Sequence, residues 1–545
     1  MFKSILFLIV FFLLSENLFS QLRSGDIPSV RIEQIVNSKK KFISIPWARK
    51  GESLDTTIYR INPIDTFIFA HTISHLFGSG GALPPFREFF KNYKVNYSAS
   101  IGSYLTPEVN VVGDYIDDLL QAQGKIDLSY TNGHINNSNN LSLNTFVSGT
   151  YKLTTDLPFL DTFNTFTKLS YKSNSYNLYG NTIDSSTRFR SESEIELGIK
   201  NTSESKVKYN IHFGLEGTSL IDNRNSSPKN YSELYSKIGS EFNFKIAKIV
   251  NAIIAVDIKG GNIEIPLNSL QISPSLIKAK FIIESKLSDE FLITIGAVYY
   301  NSSIGTTNEN SKFLAAPVSV SFTGLDRITL FAKYLPEFKV QTINEISSSC
   351  PYIFIKNIIP EKTPSKAEVG AKYNSEILLF ETKVFIEQSE NKAYINSNSD
   401  SIGYLFLDYL ESDLSGLNFE GSFNLTPFHL NINSVYSIAK KARTDTIIPM
   451  SPTLKANSKI GYDVNNELRI EIGSEFITEQ NTSLLNNTPR LPSSLLFSIG
   501  GSYYYNNDIT FILEGKNITN QKKYSWNNYL APGLEIVLGV RGNLY

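Results

Sequence analysis

The sequence predicts an all-β fold, a transmembrane antiparallel β-barrel of about 20–22 strands. Three observations predict it. Runs of alternating apolar and polar residues follow one another from residue 93 to residue 545. Aromatic residues make up 12% of the chain, with 36 Phe and 29 Tyr. An export-type leader opens the chain, and no later apolar run reaches the length of a membrane helix.

The alternation is clearest in LNFEGSFNLTPFHLNINSVYSI, residues 417–438. Leu417, Phe419, Phe423 and Leu425 alternate with Asn418, Glu420, Ser422 and Asn424, and Thr426-Pro427 interrupts. Phe428, Leu430, Ile432, Tyr436 and Ile438 then alternate with His429, Asn431, Asn433 and Ser437. Period two is the signature of a strand with one apolar and one polar face, and two such strands about a turn make a hairpin. The runs span about nine to thirteen residues, the length that crosses a bilayer at a tilt and longer than the usual five or six of soluble sheets. That many long strands without crossover helices form either a sheet with two unpaired edges or a closed barrel. A barrel so wide cannot be filled by side chains, so its lumen is either wet or plugged, and the polar faces belong inside. Apolar faces then meet lipid, where closure satisfies every backbone donor and acceptor. A secreted chain of two or three soluble β-domains is the alternative; neither internal repeats nor domain linkers support it after residue 93.

The aromatic share fits rings gathered at the two membrane interfaces. In Phe291–Tyr300, the residues Phe291, Ile293, Ile295 and Ala297 share a face that ends in Tyr299, an apolar band finishing in an interfacial ring. Net charge is −1, which offers no basic field for nucleic acid. Lys39-Lys40-Lys41 reads as a solvated segment rather than a lipid-binding patch. With Cys350 alone, the chain can form no internal disulfide and no cysteine metal cluster.

The leader places Lys3 before the apolar stretch Ile5–Leu14 and a small residue, Ser20, before Gln21. Residues 1–20 are therefore read as a signal peptide. Residues 21–92 carry Pro and Gly punctuation without long alternation and are read as a periplasmic N-terminal segment, with Gly78–Pro85 as linker. Residues 93–545 are the barrel.

The C-terminal segment ITFILEGKNITNQKKYSWNNYLAPGLEIVLGVRGNLY resembles the last two strands of TonB-dependent outer-membrane receptors. Asn517, Ile518, Tyr524, Pro532, Gly533 and Tyr545 stand at the places that carry the likeness. IPEKTPSKAEVGAKYN, with Pro360, Glu361, Glu368 and Gly370, is similar to a strand start of that family, and IPMSPTLKANSKIGYDVNN to the start of a late strand. KNYKVNYSASIGSYLTPEVNVVG looks like the first barrel strands of shortened relatives that lack a plug.

The resemblance implies a bacterial outer-membrane barrel that passes or binds a solute, inserted by the barrel-assembly machinery and without cofactor or enzymatic activity. Only residues 21–92 stand where the family has a much longer plug domain, so a barrel without a full plug is expected and TonB coupling is not. In the last strand Leu534, Ile536, Leu538, Val540 and Leu544 share the apolar face, which puts terminal Tyr545 on the other. A structural or docking barrel that binds a periplasmic or surface partner protein and transports nothing is the alternative.

Other chemistry finds little footing. His71 and His75 have the spacing of two zinc ligands on a helical turn, but no third ligand is placed and incidental histidines explain them. Adjacent Asp117 and Asp118 would point to opposite faces of a strand and fit a strand end or loop better. His134, His212 and His429 lack an accompanying nucleophile motif; a hydrolytic barrel would need a Ser–His pair on one face. GSGGALPP does not lead from a strand into a phosphate-binding helix. The lumen is expected to be lined by Asn, Ser, Thr and Tyr with scattered charge and no ring of one sign.

Overall fold

A computed structural model describes residues 93–545 apart from 136–137, 155–161, 179–185, 202–206, 224–228, 266–269, 304–309, 398–403, 486–488 and residue 545. The leader, the segment 21–92, His71, His75 and Tyr545 lie outside the described residues.

The first half of the wall runs β1 (Tyr93–Gly102), β2 (Thr106–Ile116), β3 (Leu120–Thr131), β4 (Asn140–Thr154), β5 (Thr162–Leu178), β6 (Ser186–Asn201), β7 (Val207–Asn223), β8 (Lys229–Ala247), β9 (Val250–Ile265), β10 (Ser275–Ser288) and β11 (Phe291–Ser303). The second half runs β12 (Val318–Leu325), β13 (Ile328–Tyr334), β14 (Glu361–Asn374), β15 (Leu378–Asn396), β16 (Leu405–Leu425), β17 (Phe428–Lys441), β18 (Leu454–Asp463), β19 (Leu468–Ile477), β20 (Ser494–Tyr504), β21 (Ile509–Lys516) and β22 (Glu535–Leu544). Each strand pairs antiparallel with its neighbours in sequence, and β1 closes on β22 with Val95 opposite Leu544 and Gly102 opposite Val537. The wall is a closed barrel of 22 strands, so no edge is left unpaired. No helix of the described residues is long and apolar enough to cross a membrane, which leaves crossing to strands.

Both ends of the described barrel chain, Lys94 and Leu544, lie at the mouth where connections are short, such as 117–119, 248–249, 289–290, 326–327 and 426–427. The opposite mouth carries the long connections 335–360, 442–453, 478–493 and 517–534. Tight turns occur at both mouths: the turn after Gly102 lies at the long-loop mouth, with Tyr104 and Leu105 at φ 63° and 50°, and the Thr426-Pro427 turn lies at the short-turn mouth.

The alternation decides which face goes where. On β16 and β17, Leu417, Leu425, Phe428 and Tyr436 are exposed on the outer face, whereas Asn418 is buried toward the lumen. On β11, Ile295 is 56% exposed and Tyr299 39%, on the side that the apolar pattern marks as outward. An outer surface this apolar is stable against hydrocarbon and not against water. Aromatic pairs bridge neighbouring strands near the short-turn mouth: Phe428 and Tyr462 with ring centroids 5.0 Å apart, and Tyr373 and Phe380 at 5.5 Å. Such rings sit well at the level of lipid headgroups.

Candidate functional site

The strand register turns the inner polar faces into a charged lining. On β6 the inward positions are Arg188, Arg190, Glu192, Glu194 and Glu196, while Ile195 and Leu197 are exposed outward. Across β6 to β9, Lys237 Nζ lies 2.8 Å from both Glu194 and Glu216, and Glu216 meets Lys259 at 2.8 Å. On β14 and β15, Lys383 reaches Glu368 at 3.5 Å, and Lys392 bridges Glu361 at 2.9 Å and Glu387 at 3.1 Å. On β18 and β19, Glu471 holds Lys459 at 2.7 Å and Arg469 at 2.9 Å. The charge is therefore not scattered, as the sequence suggests, but paired within strands and between strands one or two apart. Pairing depends on register, and a single strand does not reveal which residue its neighbour places opposite. The absence of a one-sign ring stands: cations and anions alternate around these parts of the wall.

One connection leaves the mouth and crosses the interior. Residues 335–360, between β13 and β14, break the alternation with INEISSSCPYIFIKNIIP. Glu337–Lys339 first pairs with the start of β14. A short helix α1 (Ile343–Ser349) follows, capped by Thr342, whose hydroxyl accepts from the Glu345 N–H while the Glu345 carboxylate accepts from the Thr342 N–H. Ile353–Phe354 then pairs in parallel with Leu405–Phe406 of β16. Ile343, Ile346, Ile353, Ile355 and Ile358 are all buried. Each buried aliphatic side chain contributes roughly 1.5–3 kcal/mol, enough to offset the ~1–2 kcal/mol of backbone entropy lost where it is fixed.

Inward side chains on the far wall grip this strap. Arg188, fully buried, donates through Nε and Nη2 to the Asp222 carboxylate of β7 at 2.5 and 2.8 Å. Its Nη1 donates to the strap carbonyls of Pro351 and Ile353, both at 2.7 Å. Tyr404 donates to the same Asp222 carboxylate at 2.9 Å, and Tyr176 donates to the Pro351 carbonyl at 2.7 Å. Arg190 bonds Asn344 and Ser348 on α1. Glu233 of β8 accepts from the N–H groups of Ile343 and Asn344 at 2.7 and 2.9 Å. All three guanidinium nitrogens are thus engaged: two bonds hold the carboxylate and two hold the strap. Cys350 follows α1, is fully buried, and its thiol is pushed up to about 12, chiefly by desolvation.

A second long connection meets the strap. Tyr529, in 517–534, stacks on Tyr352 with centroids 3.5 Å apart and planes 15° apart. Asn527 of the same connection donates to Ser397, which in turn donates to the Thr482 carbonyl of 478–493 at 2.8 Å. His134 approaches the Leu530 carbonyl with Nε2 at 2.6 Å. Among the described residues, side chains from several connections lace together at the long-loop mouth.

The residues singled out in sequence fall into two groups that belong to different parts of the wall. Glu361, Glu368 and Gly370 lie on the lumen side of β14. Glu361 and Glu368 join its ion pairs. Gly370 leaves room for the Phe331 ring, which a Cβ would approach within 2.5 Å. The carbonyl of Pro360, just before β14, accepts from Asn391. Asn517, Pro532 and Gly533 come together at the base of 517–534. Asn517 adopts φ 46°, which asparagine tolerates, accepts from the Gln521 N–H at 3.0 Å, and donates to the carbonyls of Gln521 and Pro532. Asn520 fills the space over Gly533 and accepts from the Leu534 N–H at 3.0 Å. Tyr524 sits half-exposed on a small hairpin with Tyr529–Leu530.

Asp117 and Asp118 occupy the turn between β2 and β3, the strand-end position expected of them. His429 faces Asp463 at 2.7 Å and Asn424 at 3.2 Å on the lumen face. His212 sits against Gly239, and among the described residues no group of three His, Cys, Asp or Glu could hold a metal ion. Arg188, Arg190 and Asp222 escape a reading strand by strand. The signal that could find them is the apolar run YIFIKNII in a connection of the loop-rich mouth, since such a run needs something to bury it.

No family profile matches the chain, and no curated protein is significantly similar to it in sequence. Solved structures do match. The FrpB iron transporter from Neisseria meningitidis superposes with a TM-score of 0.68 at 10% identity, over 84% of this chain and 82% of that one. The ferric yersiniabactin uptake receptor FyuA from Yersinia pestis gives 0.63 at 11% identity, over 84% and 81%. The siderophore receptor PirA from Acinetobacter baumannii gives 0.64 at 11%, over 83% and 80%. Together with the closed wall of 22 strands, these likenesses show that the chain has the barrel fold of TonB-dependent receptors.

Proposed function

We propose that this protein is a bacterial outer-membrane barrel for solute passage or binding, built like the barrel of TonB-dependent receptors and lacking their full plug. The observation that carries the reading is the pairing of a lipid-compatible outer wall with an inner wall of largely buried, charge-matched side chains. A barrel with no use for its lumen needs no such lining, because buried ion pairs contribute little net stability. The printed names of the structural neighbours, an iron transporter and two siderophore receptors, speak for uptake of a solute. The leader and the residues 21–92 fit an exported chain whose N-terminal segment remains in the periplasm, and membrane insertion would fall to the barrel-assembly machinery. The test is single-channel conductance of the purified protein in a planar bilayer. Discrete steps with weak preference between cations and anions are expected.

The laced mouth favours a second reading, a docking barrel that binds a periplasmic or surface protein and passes nothing. Silence from folded protein, persisting after the mouth is opened by mutation, would select it.

A further inference from the structure

We propose that residues 335–360 form a strap that closes the long-loop mouth from within, and that the buried Arg188–Asp222 pair is its latch. The inference rests on the reading that solute passes through the lumen, and it adds where and how the way is blocked. The strap starts and ends at neighbouring strands β13 and β14, yet it is held by β5, β6 and β8 on one side and β16 on the other. A segment tied to walls that far apart in the strand order lies across the opening. Its hold on the far wall converges on few groups. Arg188 alone supplies two of the bonds to strap carbonyls, and Asp222 fixes that guanidinium in place with help from Tyr404. Tyr176 adds one bond at the middle of the strap, while Glu233 takes the N–H groups of Ile343 and Asn344 and Arg190 holds Asn344 and Ser348, all on α1. On the near side the strap is held by Ile353–Phe354 pairing with β16 and by Tyr409, which donates to the Asn357 carbonyl, while Glu337–Lys339 pairs with β14 as a hinge next to the strap's own origin. Release of the latch frees the middle of the strap while both ends stay paired to their strands. Discrete packed arrangements of this kind switch rather than deform.

The strap carries its own reporter. Cys350 is the one cysteine of the chain, and it is a fully buried residue of the strap itself. The experiment compares wild type with Arg188→Met and with Asp222→Leu in micelles and in planar bilayers. Folding of each barrel is first established by its heat-modifiable migration. Labelling of Cys350 by a maleimide at fixed pH reads strap opening, and conductance reads passage. The expected result is a rise in labelling rate of at least about tenfold in either variant, accompanied by larger or more frequent conducting steps. A labelling rate equal to wild type in folded variants would overturn the latch. A third variant, with residues 341–356 replaced by a short Gly-Ser linker, tests the strap without depending on the latch. If it is silent and gains conductance only when residues 21–92 are also removed, the strap is not the barrier and the proposal fails while passage stands. If it is silent even then, passage itself fails, and the strap has nothing to gate.

Discussion

At the scale of the residue, position on the inner or outer face decides what a side chain does. Arg188 is a charge buried completely, tolerable because each guanidinium nitrogen has an acceptor and Asp222 neutralises it. Cys350 shows the opposite case, a small neutral group whose desolvation outweighs the backbone of Tyr352 and the charge of Arg188, so that its thiol is pushed up to about 12. At pH 8 an ordinary cysteine is about a quarter thiolate, whereas at that pKa the fraction is about one in ten thousand. Alkylation of native Cys350 should therefore be roughly a thousandfold slower than in denatured protein. Its rate should keep climbing past pH 10 instead of levelling near pH 9, because the raised value keeps the thiol protonated until then. Stopped-point maleimide labelling across pH checks both. Asn517 is a different kind of residue, a local organiser. Asn517→Ala removes one acceptor and two donor contacts and places a less tolerant residue at φ 46°. The expected cost is about 1–3 kcal/mol at the base of 517–534, seen as faster proteolysis within that connection while the barrel stays folded.

At the scale of the element, each strand is a two-sided object, and the two sides answer to different solvents. On β11 a lysine at Ile295 would face the middle of the hydrocarbon. Ile295→Lys should destabilise the barrel by about 2–4 kcal/mol in bilayers, as measured by denaturant unfolding. Ser319→Lys, on the lumen face of the adjacent β12, should cost far less and should shift ion selectivity toward anions instead. The strap obeys a third set of rules. It has neither lipid nor a sheet partner along most of its length, so it needs the capped turn of α1, a run of buried isoleucines and bonds from the wall to stay in place. The contrast between the mouths follows from connection length: two- to four-residue turns have no side chains to spare for capping the lumen, while the long connections do.

At the scale of the whole molecule, closure is the dominant fact. The pairing of β1 with β22 joins residues over four hundred positions apart and removes the last two free edges. Removal of residues 535–545 would leave β1 and β21 unpaired in hydrocarbon, where each unmatched backbone group costs several kcal/mol. The truncated chain should give no heat-modifiable barrel at all, rather than a weakened one, and the migration of boiled and unboiled samples decides it. The same closure explains why the chain holds together without a disulfide: the backbone ladder runs unbroken around the wall.

How much of this is written in the chain depends on the range over which each feature is decided. The faces of β16 and β17 are legible from Leu417 to Ile438 because period-two alternation is a local property, and so is the strand count, which the structure places at 22. The local loop closure around Asn517, Pro532 and Gly533 is also readable as a pattern, since all three lie within one connection. The lumenal ion pairs are not. Lys237 finds Glu194 and Glu216 only through the register of three strands, and one residue of slip would turn every one of them toward lipid. The strap is hidden for the same reason at longer range. Nothing near Arg188 in sequence announces Pro351 or Asp222 as its partners. The chain by itself determines that there are long two-faced strands, that they close, and that the polar faces turn inward. Only the tertiary structure decides what those inner faces meet, because a closed wall brings strands from distant parts of the sequence to face one another across the same opening.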